Sequence, residues 1–288
     1  MPQSNDVEIR IRGAKPAMTR KERAVAEYVE NHFSTVKSLP IKQLAIQSNT
    51  SEASVMRFCK TLGYSGYRDF ILNLSAALGS QENSDAPNEY TDIRPGDNLN
   101  TIIENVSYNN RRSIEDTLSI LNREDIAKAV ALLSAAQRTD WYGVGASGLV
   151  CADAQQKFLR INKHCHAYTD SHAIQTAAAL LSPGDVAVLV SNSGTTLEIL
   201  DVIELVRQAG AKCIAITRYP QSPLASKVDI VLPISTPEVT FRSGAMGSRI
   251  AMLNVVDILF SGIASTEYDQ IKEYLDRTRE ALSSRYRR

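Results

Sequence analysis

Apolar residues recur at helical spacing through the first part of the chain. One stretch follows Thr19, which together with Glu22 has the spacing of a capping box. A second helix is predicted after Ser38, a third one starts with Ser51 as its N-cap, and a fourth spans about Tyr67–Leu78. The residues that form the apolar faces are Val25, Tyr28, Val29, Phe33, Ile41, Leu44, Ala45, Val55, Phe58 and Leu62. The pattern predicts an all-helical domain over residues 1–79.

The periodicity is lost in the segment Gly79–Asn98, which reads GSQENSDAPNEYTDIRPGDN. Ser, Asn, Asp, Gly and Pro dominate it, so it has too few apolar side chains to build a core. We therefore predict a linker over residues 80–98, between a first domain at 1–79 and a second domain at 99–288.

Beyond the linker, short apolar runs alternate with longer amphipathic stretches. The predicted strands are Trp141–Val144, Cys165–Tyr168, Val186–Val190, Cys213–Thr217 and Ile230–Ile234. The predicted helices include Leu99–Leu121, Glu124–Ala136, Thr196–Ala209, Ala245–Ala264 and Tyr268–Tyr286. Strands that alternate with helices indicate a parallel sheet covered on both faces, so the second domain is predicted to be α/β.

Charge distinguishes the two domains although the whole chain sums to zero. Residues 1–80 contain 11 Lys/Arg and 7 Asp/Glu, whereas residues 81–288 contain 21 and 25. A basic first domain on an acidic body points mildly to nucleic acid. The four cysteines are spaced singly, which excludes a zinc ribbon and a redox pair and fits a reducing compartment. We expect a cytoplasmic protein without a membrane segment.

The second and third helices, joined by the short polar turn Ser48–Thr50, have the order of a helix-turn-helix. In that motif the N-terminal residues of the second helix enter the major groove. Here its outward side is predicted to present Ser51, Glu52, Ala53, Ser54, Arg57 and Lys60. Arg57 suits guanine or phosphate, and Lys60 suits phosphate. An ordinary helical bundle with a solvated face is the alternative interpretation.

Two loops follow predicted strands and open helices, which is where parallel sheets bind ligands. The first is Gly143-Val-Gly145-Ala-Ser147-Gly148. Its spelling resembles a dinucleotide fingerprint, which requires an acidic residue at the end of the next strand; the candidate is Asp170, just beyond a weak strand. We disfavour that interpretation.

The second loop is Ser191-Asn-Ser193-Gly194-Thr195-Thr196. Hydroxyls and backbone N–H groups at a helix N-terminus suit a phosphate monoester. No Lys completes a nucleotide-triphosphate motif in this loop, and helix capping alone would account for only one or two of its hydroxyls.

The stretch Ser51–Tyr67 and the loops Gly143–Ser147 and Ser191–Thr196 resemble the MurR/RpiR family of bacterial regulators, which join a helix-turn-helix to a sugar isomerase (SIS) domain. The resemblance implies a five-stranded parallel sheet in an α/β/α sandwich. It also implies that Ser147, Ser191, Ser193 and Thr196 hold the phosphate of a sugar phosphate, with Asn192 at the same rim. His172, in an Asp-x-His that begins at Asp170, and Glu238 with Arg242 would contact the sugar hydroxyls.

The leading hypothesis is a transcriptional regulator that binds operator DNA and a sugar-phosphate effector as a homodimer or homotetramer, and is not an enzyme. A phosphosugar aldose–ketose isomerase is the alternative, with Glu238 or His172 as the base. A sugar-phosphate adaptor without DNA is a third. We expect no cofactor and no metal, because His164-Cys165-His166 on a strand offers too few ligands on one side.

Overall fold

The computed structural model of the 288-residue chain describes residues 6–78, 96–220, 222–236 and 245–283. These residues form two compact units. The first unit comprises Met1–Ile120, Tyr219–Gln221 and Ser235–Gly247. The second comprises Leu121–Arg218, Ser222–Ile234 and Ser248–Arg288. The predicted linker lies almost wholly outside the described residues.

The described part of the first unit is helical. Its helices are α1 (Asp6–Ala14), α2 (Arg20–Asn31), α3 (Phe33–Val36), α4 (Ile41–Gln47), α5 (Glu52–Thr61), α6 (Tyr67–Leu78) and α7 (Leu99–Ile120). The four helices predicted before the linker correspond to α2, α4, α5 and α6, and α7 was also predicted. Helices α1 and α3 were not, because α1 is short with charged residues alternating along it and α3 is a single turn.

Two helices of the first unit, α2 and α5, begin at the N-cap residues predicted from the sequence. Thr19 and Glu22 form the predicted capping box at the start of α2. Ser51 caps α5 by accepting from the Ser54 amide. The apolar faces meet in one core, which contains Val25, Val29, Leu44, Val55, Phe58, Leu62, Phe70 and Leu74.

Helix α7 turns its polar side inward. Asp116 is fully buried and bonds with Arg12 of α1 (2.6 Å) and with Arg112 (2.9 Å). Thr117 Oγ1 donates to the carbonyl of Ser235 and accepts from its amide. These contacts belong to the first unit, whereas the predicted second domain begins at residue 99. The domain boundaries stay a prediction.

The second unit contains the five predicted strands and their helices. The strands are β1 (Thr139–Tyr142), β2 (Cys165–Tyr168), β3 (Val186–Ser191), β4 (Lys212–Arg218) and β5 (Ile230–Ile234). The helices are α8 (Arg123–Ala135), α9 (Ala146–Arg160), α10 (Ser171–Ala179), α11 (Leu197–Gln208), α12 (Met246–Thr266) and α13 (Tyr268–Ser283). All the pairings are parallel and the strand order is β2-β1-β3-β4-β5. The predicted parallel sheet is confirmed.

Helices cover both faces of the sheet, as an α/β/α sandwich requires. Trp141 of β1 belongs to the core cluster that contains residues of α8, α9, α12 and α13, and its neighbour Tyr142 belongs to the cluster with residues of α10 and α11 on the other face. Helix α12 is, within the described residues, long and apolar enough by length and composition to cross a membrane. Its residues Ala251, Val255 and Leu259 are buried in the sheet core, so α12 is a core helix of this layer.

Candidate functional site

The two hydroxyl-containing loops start at neighbouring strands of the sheet. β1 pairs with β2 on one side and with β3 on the other, and the helices that follow β1 and β3, α9 and α11, lie on opposite faces. The chain therefore turns in opposite directions after β1 and β3, which opens a crevice at their carboxyl ends. This switch point is the usual ligand site of open parallel sheets.

Three glycines shape the loop after β1. A Cβ on Gly143 would stand 2.9 Å from the Ser147 carbonyl, and one on Gly148 would stand 2.7 Å from Thr169 Cγ2. Gly145 has a φ of 61° and leads directly into α9. The chain therefore enters α9 in a tight turn, with Ser147 mostly buried in its first turn.

The loop after β3 is held by its own hydroxyls. The Gly194 amide donates to Ser191 Oγ (3.1 Å), which also lies 3.0 Å from Thr196 Oγ1. Ser193 is exposed, and its Oγ accepts from the Thr195 amide and hydroxyl. Ser191 therefore supports the turn from inside, whereas the Ser193 hydroxyl is accessible to a ligand.

Polar groups at this edge of the sheet lack partners among the described residues. Asn192 is 3% exposed, yet its Oδ1 accepts no hydrogen bond there. Neither Gly145 nor Thr196 caps its helix with a side-chain bond, so first-turn N–H groups of α9 and α11 are available. A buried amide oxygen without a donor costs about 1–3 kcal/mol, which a ligand hydroxyl would recover.

A turn after β4 packs against the loop after β3. A Cβ on Gly194, whose φ is 63°, would stand 2.4 Å from Ser222 Oγ and 2.9 Å from Thr217 Oγ1. Thr217 and Ser222 bond to each other through their hydroxyls (3.1 Å), and the Leu224 amide donates to the Gly194 carbonyl (3.1 Å). Only glycine fits at position 194.

Of the residues predicted to contact the sugar, the structure describes His172 and its neighbour Asp170 but not Glu238 or Arg242. Asp170 N-caps α10 by accepting from the amides of His172 and Ala173, so its carboxylate serves the helix. This use weakens the dinucleotide interpretation further. His172 is exposed in the first turn of α10, which follows β2 at the same sheet edge. Glu238 and Arg242 lie outside the described residues.

The cysteines offer no reactive thiolate. All four are buried, and burial raises the pKa of Cys59, Cys165 and Cys213 to about 12. No cluster of three metal-ligating residues occurs in the described part of the chain. His164 and His166 are exposed while Cys165 is buried, which is the alternation predicted for that strand.

In the first unit, α5 presents most of the predicted DNA-reading residues to solvent. Ser51, Glu52, Ala53, Arg57 and Lys60 are exposed. The prediction that Ser54 lies outward is wrong, because Ser54 is fully buried. Its Oγ lies 3.0 Å from Ser51 Oγ and accepts from Arg57 (3.3 Å). Ser54 stands four residues before the buried Phe58, so the helical repeat places it on the buried side of α5.

A buried carboxylate fixes α5 against α2. Glu22 accepts from the Thr19 amide (2.8 Å) and from Thr61 Oγ1 at the end of α5 (3.0 Å). Burial favours the neutral acid, but the hydrogen bonds from Thr19 and Thr61 and the charge of Arg57 outweigh it and lower the pKa of Glu22. The carboxylate that caps α2 therefore also orients the predicted DNA-reading helix.

Sequence reasoning missed the residues that hold these sites from a distance. Thr217 and Ser222 support the loop after β3, and Arg10 donates to the Leu62 carbonyl at the end of α5 (3.1 Å). Their positions in the sequence carry no motif, because each acts through residues 23 or more positions away. The binding roles of the predicted site residues stay predictions.

Comparison with known proteins matches both parts of the chain. Residues 5–81 match the helix-turn-helix domain of the rpiR family, and residues 132–262 match the SIS domain. An uncharacterized HTH-type transcriptional regulator of Caldanaerobacter subterraneus is 40% identical over 97% of this chain and 98% of that relative. The regulator YbbH of Bacillus subtilis is 32% identical over 95% and 96%.

One solved structure extends over both domains. The Vibrio vulnificus NanR protein complexed with ManNAc-6P has a TM-score of 0.61 and 27% identity, and covers 98% of this chain and 100% of its own. The sugar isomerase domain of an RpiR transcription factor from Sphaerobacter thermophilus has a TM-score of 0.57 at 22% identity, covering 62% of this chain and 98% of its own, which supports the fold. The helix-turn-helix, the SIS sheet and the full-length relatives agree: the chain belongs to the RpiR family of HTH-type transcriptional regulators.

Proposed function

We propose that this regulator binds a sugar phosphate at the carboxyl ends of β1 and β3 and that the bound effector changes its affinity for operator DNA. One observation carries the effector site. Two helix N-termini without side-chain caps open from neighbouring strands, beside the hydroxyls of Ser147, Ser191, Ser193 and Thr196. Oriented N–H groups and hydroxyls favour a phosphate dianion over a neutral sugar.

The sugar part of the effector is proposed to bind the polar groups at this edge that do not donate to the phosphate. The Asn192 Oδ1 can only accept a hydrogen bond, so it suits a hydroxyl or amide N–H of the effector. His172 stands at the same edge of the sheet with its side chain exposed. That NanR was solved with ManNAc-6P supports an effector in the class of phosphorylated sugars.

DNA binding is proposed for the exposed side of α5. Arg57 and Lys60 are its two cations, and Ser51, Glu52 and Ala53 are exposed around its N-terminus. Two such helices are needed to read a pseudo-palindromic operator, so a homodimer or homotetramer is proposed. The protein is proposed to act in the cytoplasm, where its DNA is.

No catalytic role is proposed for the site. Isomerisation needs a general base in reach of the C1 and C2 protons. Among the described residues at this edge, Asp170 caps α10, His172 is exposed, and Glu198 lies in the first turn of α11. The family membership favours an effector site on a regulator.

Thermal-shift measurements of the full chain against a panel of phosphorylated sugars test the effector site. A ligand that binds only the native state raises the melting temperature by mass action. The panel includes N-acetylmannosamine 6-phosphate, hexose and pentose phosphates, and each sugar without its phosphate. We expect a shift with at least one phosphorylated sugar and none with its unphosphorylated form.

Ser193→Ala is the first variant to compare. Its hydroxyl is exposed and a bond to a charged group contributes about 1.5–3 kcal/mol, so affinity should fall about 10-fold to 150-fold. Ser226→Ala is the matched control, because Ser226 is also exposed and its hydroxyl donates to the Pro223 carbonyl. Equal effector affinity in the two variants would contradict the assignment of the loop after β3.

A further inference from the structure

We propose that the turn after β4 connects the loop after β3 to helix α5, acting through α1. The loop Ser191–Thr196 is called the effector loop below, and α5 is called the DNA-reading helix. The coupling turn is defined as the residues Thr217–Pro220 and Ser222–Leu224. The inference rests on the proposed function, since it states how occupancy of the effector site changes α5. Thr217, Ser222, Gly13 and Arg10 are positioning residues in this connection. None of them is proposed to touch the effector or the DNA.

The outer parts of the coupling turn belong to the second unit and hold the effector loop. Thr217 and Ser222 leave no room for a Cβ on Gly194, and Leu224 bonds the Gly194 carbonyl. The Arg218 amide also donates to the Asn192 carbonyl (3.2 Å). An anion that draws the N–H groups and hydroxyls of Ser193–Thr196 toward itself must therefore shift this turn or leave these contacts.

The middle of the coupling turn belongs to the first unit and holds α1. A Cβ on Gly13 would stand 2.1 Å from the Tyr219 carbonyl oxygen and 3.4 Å from Pro220 Cδ. The backbone of α1 thus lies directly on the backbone of the turn. The Arg10 guanidinium lies over the Tyr219 ring, 5.0 Å from its centroid.

Helix α1 carries the same connection to the end of α5. Arg10 also lies over the Tyr64 ring (4.9 Å) and donates to the carbonyl of Leu62, the C-cap residue of α5. One side chain therefore contacts both the coupling turn and the end of the DNA-reading helix. On its other side α1 is held to α7 through Arg12 and the buried Asp116, so a displacement of Tyr219 cannot be absorbed by α1 moving freely.

Such a connection transmits a signal only if the effector binds one arrangement of the turn more tightly than the other. The chemistry for this preference is present, because Ser191 Oγ accepts from the Gly194 amide and Ser193 Oγ accepts from the Thr195 hydroxyl. A bound anion is a stronger acceptor and competes for these two donors. The turn that packs on Gly194 is then the first element outside the loop to respond.

Gly13→Ala tests the connection with the smallest possible wedge. The added methyl must push α1 off the Tyr219 carbonyl, while alanine is otherwise a better helix former than glycine. Gly66→Ala is the matched control, since its Cβ would meet only Met56 Cε at an ordinary 3.5 Å. Arg10→Gln is a second variant that removes the guanidinium without adding a wedge.

Hydrogen exchange of the full-length chain is measured with and without inorganic phosphate, in peptides covering residues 191–199, 7–18 and 55–64. In the unmodified chain and Gly66→Ala we expect slower exchange at 191–199 and a change of about five-fold or more at 7–18 and 55–64, the lower end of typical allosteric coupling. In Gly13→Ala and Arg10→Gln the change at 191–199 should persist while the distant changes vanish.

The outcomes separate the two proposals. Protection at 191–199 without any change at 7–18 in the unmodified chain overturns the coupling and leaves the effector site standing. Distant changes that survive in both Gly13→Ala and Arg10→Gln also overturn the coupling. No protection at 191–199 in any variant contradicts the effector site itself, and the coupling inference with it.

Discussion

On α5, the side chains proposed to meet DNA project from a regular helix, whereas in the loop after β3 the groups proposed to meet phosphate are loop hydroxyls and N–H groups. Arg57 and Lys60 need only the helical repeat and the core beneath them to face outward. Gly194 needs Thr217 and Ser222 to hold its turn. The DNA face is thus specified locally, and the effector loop is specified by a distant segment.

The difference also explains where each site tolerates change. Truncating an exposed side chain of α5 removes one contact to DNA and leaves the helix. Changing the supporting residues of the effector loop alters every group in that loop together. Variants that act on one side of this comparison and not the other therefore test it directly.

Gly194→Ala should have the largest effect. A left-handed backbone position costs a non-glycine residue about 1–3 kcal/mol, and overpacking against Ser222 adds about 1–3 kcal/mol more. We expect unfolding in urea at a clearly lower midpoint and loss of the thermal shift with sugar phosphate. Gly184→Ala separates backbone strain from packing, because Gly184 also has a positive φ of 97° but the nearest described atom to its Cβ position is Gln137 Nε2, at an ordinary 3.7 Å. Equal losses of stability in both variants would argue against packing by the turn.

Arg57→Ala should weaken operator binding by about 1–3 kcal/mol if it contacts a guanine, with little effect on stability. The operator is obtained by selection from random duplexes, and affinity is measured by fluorescence anisotropy at several salt concentrations. Lys60 is proposed to contact a DNA phosphate. Lys60→Ala should therefore reduce the slope of the logarithm of the binding constant against the logarithm of the salt concentration by about 1, without changing sequence preference. If Arg57→Ala binds the selected operator as tightly as the unmodified chain, the assignment of α5 fails.

Ser54→Ala should have the opposite effects from Arg57→Ala, lowering stability without changing which operator sequence is preferred. The residue is buried and hydrogen-bonded to Ser51 and Arg57, so its loss should lower stability by about 1 kcal/mol. Sequence preference should be unchanged, because the hydroxyl does not face outward. Urea unfolding and the same anisotropy assay measure both quantities. A changed sequence preference at unchanged stability would restore Ser54 to the DNA face.

The smallest effect is expected from the pH dependence of Glu22. Its pKa is lower in the folded state than in the unfolded chain, so its contribution is present above the unfolded value of about 4.3 and is lost as pH falls through the folded pKa. Glu22→Gln should lower stability by about 0.5–2 kcal/mol at neutral pH and remove that part of the acid dependence. Urea midpoints at pH 7 and pH 4 measure it, with exposed Glu27→Gln as the control.

Much of the fold could be predicted from residues near one another in the chain. Capping at Thr19 and Ser51 and the apolar runs of the five strands each depend on a few neighbouring positions. The outward assignment of Ser54 was wrong for a local reason. Ser54 stands four residues before the buried Phe58, and helical spacing places residues i and i+4 on the same side of α5.

Two domains, the parallel sheet and the hydroxyl-rich loops could be predicted from the sequence, because helix and strand periodicity and Gly-Ser-Thr composition are properties of short stretches. The pairing of β1 with β3, the packing of Thr217 and Ser222 against Gly194, and the contact of α1 with Tyr219 are visible only in the folded chain. These contacts join residues 23 to 206 positions apart, and each depends on shape and burial at both ends. A pattern within one segment holds no information about the segment that will pack against it.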